Sequence, residues 1–412
     1  MTIGTSRGES LEHYIREHSQ RAKLLPTHPE TVKMMRENIL KLDGDMRFDE
    51  FMATSLFGNG GFYRDRTSID SDFHTHAQNP LFAELIHQHL INENLDDKDF
   101  VEIAGGAAHF KKNFLQSSNK SNRLYLSIDS SPALASFQKH AGKSNSQDHT
   151  IVADAISLPF RDSAFNGTIF ANELLDAMPC RVFKIKVEND ICNIDSEAYV
   201  VANRLQTNLD VCFKPVIKDR FVREYESFLT SVQSERDLKD GSILSVSPHF
   251  APLMQELNRV LGNGKILLFD YGFNEYVTNS NSLHFKPAHS MIPYNAGSVK
   301  SARERLEKSG KKINSNHASS LDIFTEDPLS GIREVISRPY ETDITFYVDF
   351  SYLHHLSKAN GANVRCRSQD HFFRTILERS PSINKKFSQD KIEELLADDK
   401  EFILLEITKK IT

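Results

Sequence analysis

The chain has 412 residues, enough for two or three domains or for one large α/β domain with insertions. Fifty lysines and arginines face 56 aspartates and glutamates, a formal charge of −6 with the two signs interspersed, which argues against a polyanion-binding face and against nucleic acid as the main partner. No apolar run nears the roughly 20 residues of a membrane-spanning helix, the opening MTIGTSRGESLEHYIREHSQ has no targeting pattern, and Cys180, Cys192, Cys212 and Cys366 lack CxxC spacing. A cytoplasmic protein with reduced thiols, no membrane contact and no structural zinc is expected.

Residues 1–92 read as a helical N-terminal extension and cap. Within it, THPETVKMMRENILKLDG predicts a helix with Thr31 at its start, Met34, Met35, Ile39 and Leu42 on one face, and Gly44 as its stop. An aromatic and histidine-rich loop follows, with Phe62, Tyr63, Phe73, His74 and His76; it is either a lid over a ligand or a packed cap. From 93 to 180 apolar strands alternate with helices in FVEIAG, HFKKNFLQSS, RLYLSID, SPALASFQKHAG, TIVADA and NGTIFANE, which implies βαβ crossovers and a parallel sheet. Residues 181–245 change to two-residue alternation in RVFKIKVEND and a helix around FVREYESFLTSVQ, an insertion of antiparallel strands. The core resumes over 246–277 with an amphipathic helix from Phe250 to Leu261, an Asn263-Gly264 turn and the strand KILLFDYG. Residues 278–340 are polar and aperiodic, a loop-rich insertion. The core returns over 341–412 with ITFYV, the helix VDFSYLHHLSKANG, the strand ANVRCRS and a closing EFILLEIT expected to enter antiparallel.

Chemistry is expected where the strands end. Glu102 leads into Ala104-Gly105-Gly106-Ala107-Ala108, where small residues either admit a ligand to the backbone or only make a tight turn. The next strand ends in Asp129-Ser130; a carboxylate there can accept both hydroxyls of a ribose, and it can also cap the following helix. Asp154-Ala155 ends the third, where an acid can reach the exocyclic amine of an adenine. The fourth runs into Ala171-Asn172-Glu173-Leu174-Leu175-Asp176-Ala177-Met178-Pro179. Placing Asp176 one helical turn above Glu173 gives either a carboxylate pair for a cationic acceptor or a helix start with favourable acids. Asp270-Tyr271 ends the fifth, with Tyr271 as pocket wall or packing. His74, His76, His284, His289, His354 and His355 have no third ligand at local spacing, so no metal site is expected.

NELLDAMPCRVF resembles the NEFFDALP motif of the MidA-like family of S-adenosylmethionine (SAM)-dependent methyltransferases, a family that includes a mitochondrial complex I assembly methyltransferase. FMATSLFGNGGFY, SDFHTHAQNPLFAELI, FVEIAGGAAHF, IDSSPALASFQ, SVSPHFAPLM, KILLFDYG, DITFYVDFSYL and SQDHFF follow the family's order over about 46–408. The resemblance implies a class I methyltransferase: a Rossmann-like, seven-stranded sheet with an antiparallel last strand, an N-terminal helical cap and insertions. It implies SAM as cofactor, held by Phe73, Thr75, Glu102, Gly105, Gly106, Asp129, Ser130, Asp154, Ala155 and Asn172. Glu173 and Asp176 would act on the acceptor, with Tyr63, Asp270 and Tyr271 around it. The acceptor would be a nitrogen of a protein arginine or of a small-molecule amine, and a homodimer is compatible with this reading. Ala104 and Ala108 replace the family's first and third loop glycines, Gly105 its proline, Ser71 and Ser245 a glycine and an acid, and the 290–340 stretch is longer. Methyl groups at 104 and 108 fit without strain only if φ is negative there. The alternative is a catalytically silent SAM-binding assembly or scaffold protein of the same fold.

Overall fold

The computed structural model describes residues 29–65, 75–117, 124–141, 147–188, 191–202, 208–232, 240–273, 332–333, 335–337, 339–340, 343–359, 361–397 and 402–410. Phe73, His74, Ser71, His284, His289 and nearly all of the 278–340 insertion lie outside them. In chain order the strands are β1 (Asp45–Arg47), β2 (Asp99–Ile103), β3 (Tyr125–Asp129), β4 (Asp148–Val152), β5 (Phe165–Asn172), β6 (Arg181–Glu188), β7 (Ile191–Ala202), β8 (Leu209–Pro215), β9 (Ile243–Val246), β10 (Leu261–Phe273), β11 (Val348–Asp349), β12 (Asn363–Ser368) and β13 (Phe402–Lys409).

The larger sheet has the order β12-β13-β10-β5-β2-β3-β4, with the two-residue β11 beside β10. Strands β4, β3, β2, β5 and β10 run parallel, and β13 enters antiparallel between β10 and β12. The strand order reverses at β2 and β5, so a crevice opens above their C-terminal ends, the place where open α/β sheets bind ligands. In the five-strand antiparallel sheet β1-β7-β6-β9, with β8 on β7, strands β6 to β9 are inserted between β5 and β10, and β1 joins them from the N-terminal part of the chain.

Apolar side chains on alternate residues divide between two cores. Ile266 and Leu268 of β10 join Val101, Ile128 and Ile169 on one face with the smaller sheet; Leu267 and Phe269 join Phe82, Phe110, Phe170 and Phe373 on the other. With 28 phenylalanines and no tryptophan in the chain, the second layer is built of tilted and stacked phenyl rings. Phe110 and Phe170 lie 4.2 Å apart and Phe82 meets Phe373 edge-on at 5.4 Å. Each such burial stabilises by about 1.5 to 3 kcal/mol. Gly264 pairs with Gly167 across β10 and β5, and a Cβ there would fall 1.8 Å from the Gly167 carbonyl oxygen.

Three local expectations differ from the structure. The first described helix spans Pro29–Leu40, so Thr31 is inside it; Met35 and Ile39 are buried, while Met34, beside that stripe, and Leu42, in the turn past the helix end, are about half exposed. The helix Phe250–Val260 passes into β10 at Leu261 through an irregularity before Asn263, without a free turn. ITFYV is not a strand until Val348: the Phe346 N–H donates to the Asp176 carbonyl at 3.3 Å, which ties this segment to the loop after β5 instead of to a ladder. Among the described residues no helix is long and apolar enough to cross a membrane.

Candidate active site

The loop after β2 begins by extending the sheet, the Ala104 N–H donating to the Ile128 carbonyl at 2.8 Å. It then turns through left-handed backbone at Ala104 (φ 55°), Gly106 (φ 51°) and Ala108 (φ 65°). The condition under which the alanines would sit without strain is therefore not met: each holds a Cβ in a conformation that costs roughly 1 to 2 kcal/mol relative to ordinary backbone. Ala104→Gly is expected to raise unfolding stability by about 1 kcal/mol, read as a higher thermal midpoint; no gain would mean that the loop relaxes in solution. Gly105 has a different constraint, since a Cβ there would lie 2.9 Å from Glu102 Oε2. Glu102 is thus a buried prop beneath the loop. It accepts the Tyr125 hydroxyl at 2.7 Å, and burial pushes its pKa up to about 7 against that bond and the charge of Lys111.

Asp129 ends β3 with its carboxylate turned toward the same loop. Oδ1 accepts the Ser131 N–H at 2.9 Å, Oδ2 accepts Gln138 Nε2 at 2.8 Å, and the Gly106 N–H adds a further bond; burial nevertheless raises its pKa to about 6. Ser130 is exposed, and Ser131 does the capping: its Oγ accepts the Leu134 N–H and donates to the Tyr63 carbonyl at 2.7 Å. Asp154 is exposed and accepts the Ile156 N–H at 3.1 Å, while Ala155 is buried in the core.

The segment after β5 is not a helix. Glu173 continues the ladder through its N–H to the Phe269 carbonyl at 2.9 Å, then takes φ 55°, rare for a side chain of its size. Beyond it the backbone is shaped by Asp270. Fully buried, this carboxylate accepts the N–H groups of Leu175 (2.8 Å) and Asp176 (3.1 Å) on Oδ2 and that of Tyr271 (2.8 Å) on Oδ1. It holds the turn of 173–178 through these three bonds. Tyr271 packs edge-on against Phe402 at 4.5 Å.

Glu173 Oε1 accepts the Thr75 hydroxyl at 2.6 Å and Asn172 Nδ2 at 3.0 Å, and the same Nδ2 reaches Thr75 Oγ1 at 3.1 Å. Thr75 also caps the short turn His76–Gln78, which fixes it before the helix Pro80–Asn92. The described residues place no hydrogen bond on Glu173 Oε2. Burial raises the Glu173 pKa against the Thr75 and Asn172 bonds. Asp176 is raised much further, by burial first and then by Asp270, Glu173 and Asp343. Asp343, not foreseen from the sequence, accepts the Tyr63 hydroxyl at 2.7 Å and brings the chain after the insertion to the same cluster. Nothing local marks it as a site residue. Gln138, the last residue of the IDSSPALASFQ segment, was not among the expected site residues, since the pattern of its helix Pro132–Ala141 reads as packing. Among the described residues no three potential metal ligands converge.

The family model described as "Putative S-adenosyl-L-methionine-dependent methyltransferase" matches residues 83–367. Two crystal structures from Burkholderia thailandensis share the fold at 17% identity and a TM-score of 0.64, over 99% of this chain and 95% of theirs. One is a native uncharacterized protein, the other a superfamily member bound to S-adenosyl-homocysteine (SAH). No curated protein matches the chain.

Proposed function

Since the chain belongs to this family of S-adenosyl-L-methionine-dependent methyltransferases, we propose that it methylates a nitrogen, in a protein arginine or a small-molecule amine. Two buried acceptors at the crevice, Gln138 Oε1 and Asn172 Oδ1, have no hydrogen-bond partner among the described residues. SAM brings donors to such a site, its ribose hydroxyls and its ammonium group, so the residues fit the cofactor. Asp129 would take the ribose hydroxyls, the backbone at Gly105 and Gly106 the methionine part, Asp154 the adenine amine, and Asn172 with Thr75 the side of the reacting centre. Bound there, SAM supplies an electrophilic methyl group on a sulfonium.

The observation that carries the acceptor reading is the asymmetric anchoring of Glu173. Thr75 and Asn172 grip one oxygen and leave Oε2 for the acceptor, with Asp176 beside it. A guanidinium or ammonium matches a carboxylate pair, and a carboxylate whose pKa is raised is the better proton acceptor when the nitrogen must lose a proton. Labelled SAM offered with arginine peptides and with small amines tests this: a mass gain of one methylene on nitrogen supports it, and methyl found on oxygen or carbon overturns it. SAH binding without transfer to any acceptor would favour the silent-protein reading, to which the left-handed alanines lend support.

On the donor side, Asp129→Ala is expected to weaken SAH binding by roughly ten- to a hundredfold, about 1.5 to 3 kcal/mol. In the wild type, affinity should fall as pH drops through about 6, because protonation turns an Asp129 oxygen from acceptor to donor. Calorimetric titration from about pH 5 to about pH 8 reads both. Unchanged affinity in the variant removes the ribose role.

A further inference from the structure

Gln138 is fully buried near the end of the helix Pro132–Ala141, with its amide between the donor loop and Asp129. Nε2 lies 2.8 Å from Asp129 Oδ2 and 3.2 Å from the Gly106 carbonyl oxygen. Two acceptors on one nitrogen fix which end of the amide faces them, since only the NH2 end has two protons to give. The other end, Oε1, is buried without a partner among the described residues. The backbone is held as firmly: the Gln138 carbonyl accepts Lys111 Nζ at 2.8 Å, and Lys111, itself fully buried, pairs with Asp148 at 2.7 Å.

This placement answers a difficulty in the loop. With alanine at two left-handed positions, the stretch from 104 to 108 has little intrinsic preference for its shape, and something outside must impose it. The Gly106 carbonyl and the Asp129 carboxylate are both electron-rich, and the Gln138 NH2 joins them. We infer that Gln138 is a positioning residue for the methyl donor, locking the loop at Gly106 onto Asp129 and offering Oε1 to a donor group of the bound ligand. The ligand-facing half of this inference rests on the reading of Asp129 as the ribose residue; the lock itself does not.

SAH titration of the full chain tests it, using Gln138→Leu, Gln138→Glu and Asp129→Ala. Gln138→Leu should bind SAH at least about tenfold more weakly. Gln138→Glu should bind poorly at alkaline pH, where two carboxylates face each other, and recover as pH falls, where one proton shared between them restores a donor to Asp129. That slope is opposite in sign to the wild type's. The other groups near this site, Glu102 on β2, Tyr125 on β3, Lys111 on the helix His109–Ser117 and Asp148 on β4, are the same in all three variants, so Gln138→Leu controls for their titration. Should Gln138→Leu fail to fold, the pH slope of Gln138→Glu still decides. SAH affinity within twofold of wild type in Gln138→Leu, or a wild-type slope in Gln138→Glu, overturns the inference. Weak binding by Asp129→Ala beside normal binding by Gln138→Leu would overturn the inference and leave the ribose reading standing, whereas normal binding by Asp129→Ala would remove both the ribose reading and the lock onto Asp129.

Discussion

Glu173→Gln is expected to lower turnover by about 10²- to 10⁴-fold, the usual contribution of a positioned general base, while SAH affinity stays within a factor of about two. The substitution is nearly isosteric, and a glutamine Oε1 can still accept Thr75 and Asn172, so the anchoring seen for Glu173 should survive. What changes is Oε2, which becomes an NH2 group that cannot take a proton. Because burial raises the Glu173 pKa, wild-type kcat/KM should rise with pH as this carboxyl loses its proton, and the glutamine variant should lack that limb. Asp176 is raised further than Glu173, partly by the Glu173 charge, so it stays protonated while Glu173 ionises, and Asp176→Asn should leave that limb in place. Loss of SAH affinity in Glu173→Gln would assign the residue to the donor site and end the acceptor argument.

Arg181→Leu should destabilise the fold by about 3 to 5 kcal/mol, as for other broken buried ion pairs. Arg181 opens β6, directly after the segment that carries Glu173 and Asp176. Its Nε and Nη2 each lie 2.6 Å from an oxygen of Glu197, with side chains 3% and 1% exposed. Nη1 reaches the more exposed Asp219, and the guanidinium lies over Phe183 and Phe221 at 5.1 and 5.6 Å. Removing the cation strands the Glu197 charge on the smaller sheet, beside the start of the helix Arg220–Val232, where burial keeps water from replacing the lost partner. The double variant with Glu197→Leu should recover most of the loss. Urea midpoints measure both, and a loss below about 1 kcal/mol for the single variant would show that water reaches the pair.

The parallel strands were legible because burial on both faces writes them as apolar runs, and the acids at their ends stand out against that background. The antiparallel entry of β13 was legible from its place as the last strand of an α/β chain. The loop after β5 was not: its shape comes from Asp270, 94 and 95 residues away, taking the N–H groups that a helix would have left to its own first turn. Asp343 escaped notice because its partner, Tyr63, is 280 residues distant. The sign of φ at Ala104 and Ala108 was likewise beyond reach, since alanine is compatible with either reading until the neighbouring strands fix the turn. In Met34 and Leu42 the periodicity misled, because Met34 sits beside the buried stripe and the helix stops at Leu40, before Leu42 can join it.

The position of β13 has a consequence for how the molecule is made. Synthesis delivers β10 with β5 already available on one side, but its other side stays open until residues 402–409 emerge from the ribosome. During that interval the nascent chain carries an unpaired edge bearing Leu267 and Phe269, the kind of edge that recruits foreign strands. When β13 arrives it must slide between β10 and β12, and Glu406, pairing with both Lys265 and Arg367, gives it a single electrostatic register in which to stop. Closure of the sheet therefore waits for β13, and the demand for chaperone protection is concentrated in the interval before that strand emerges.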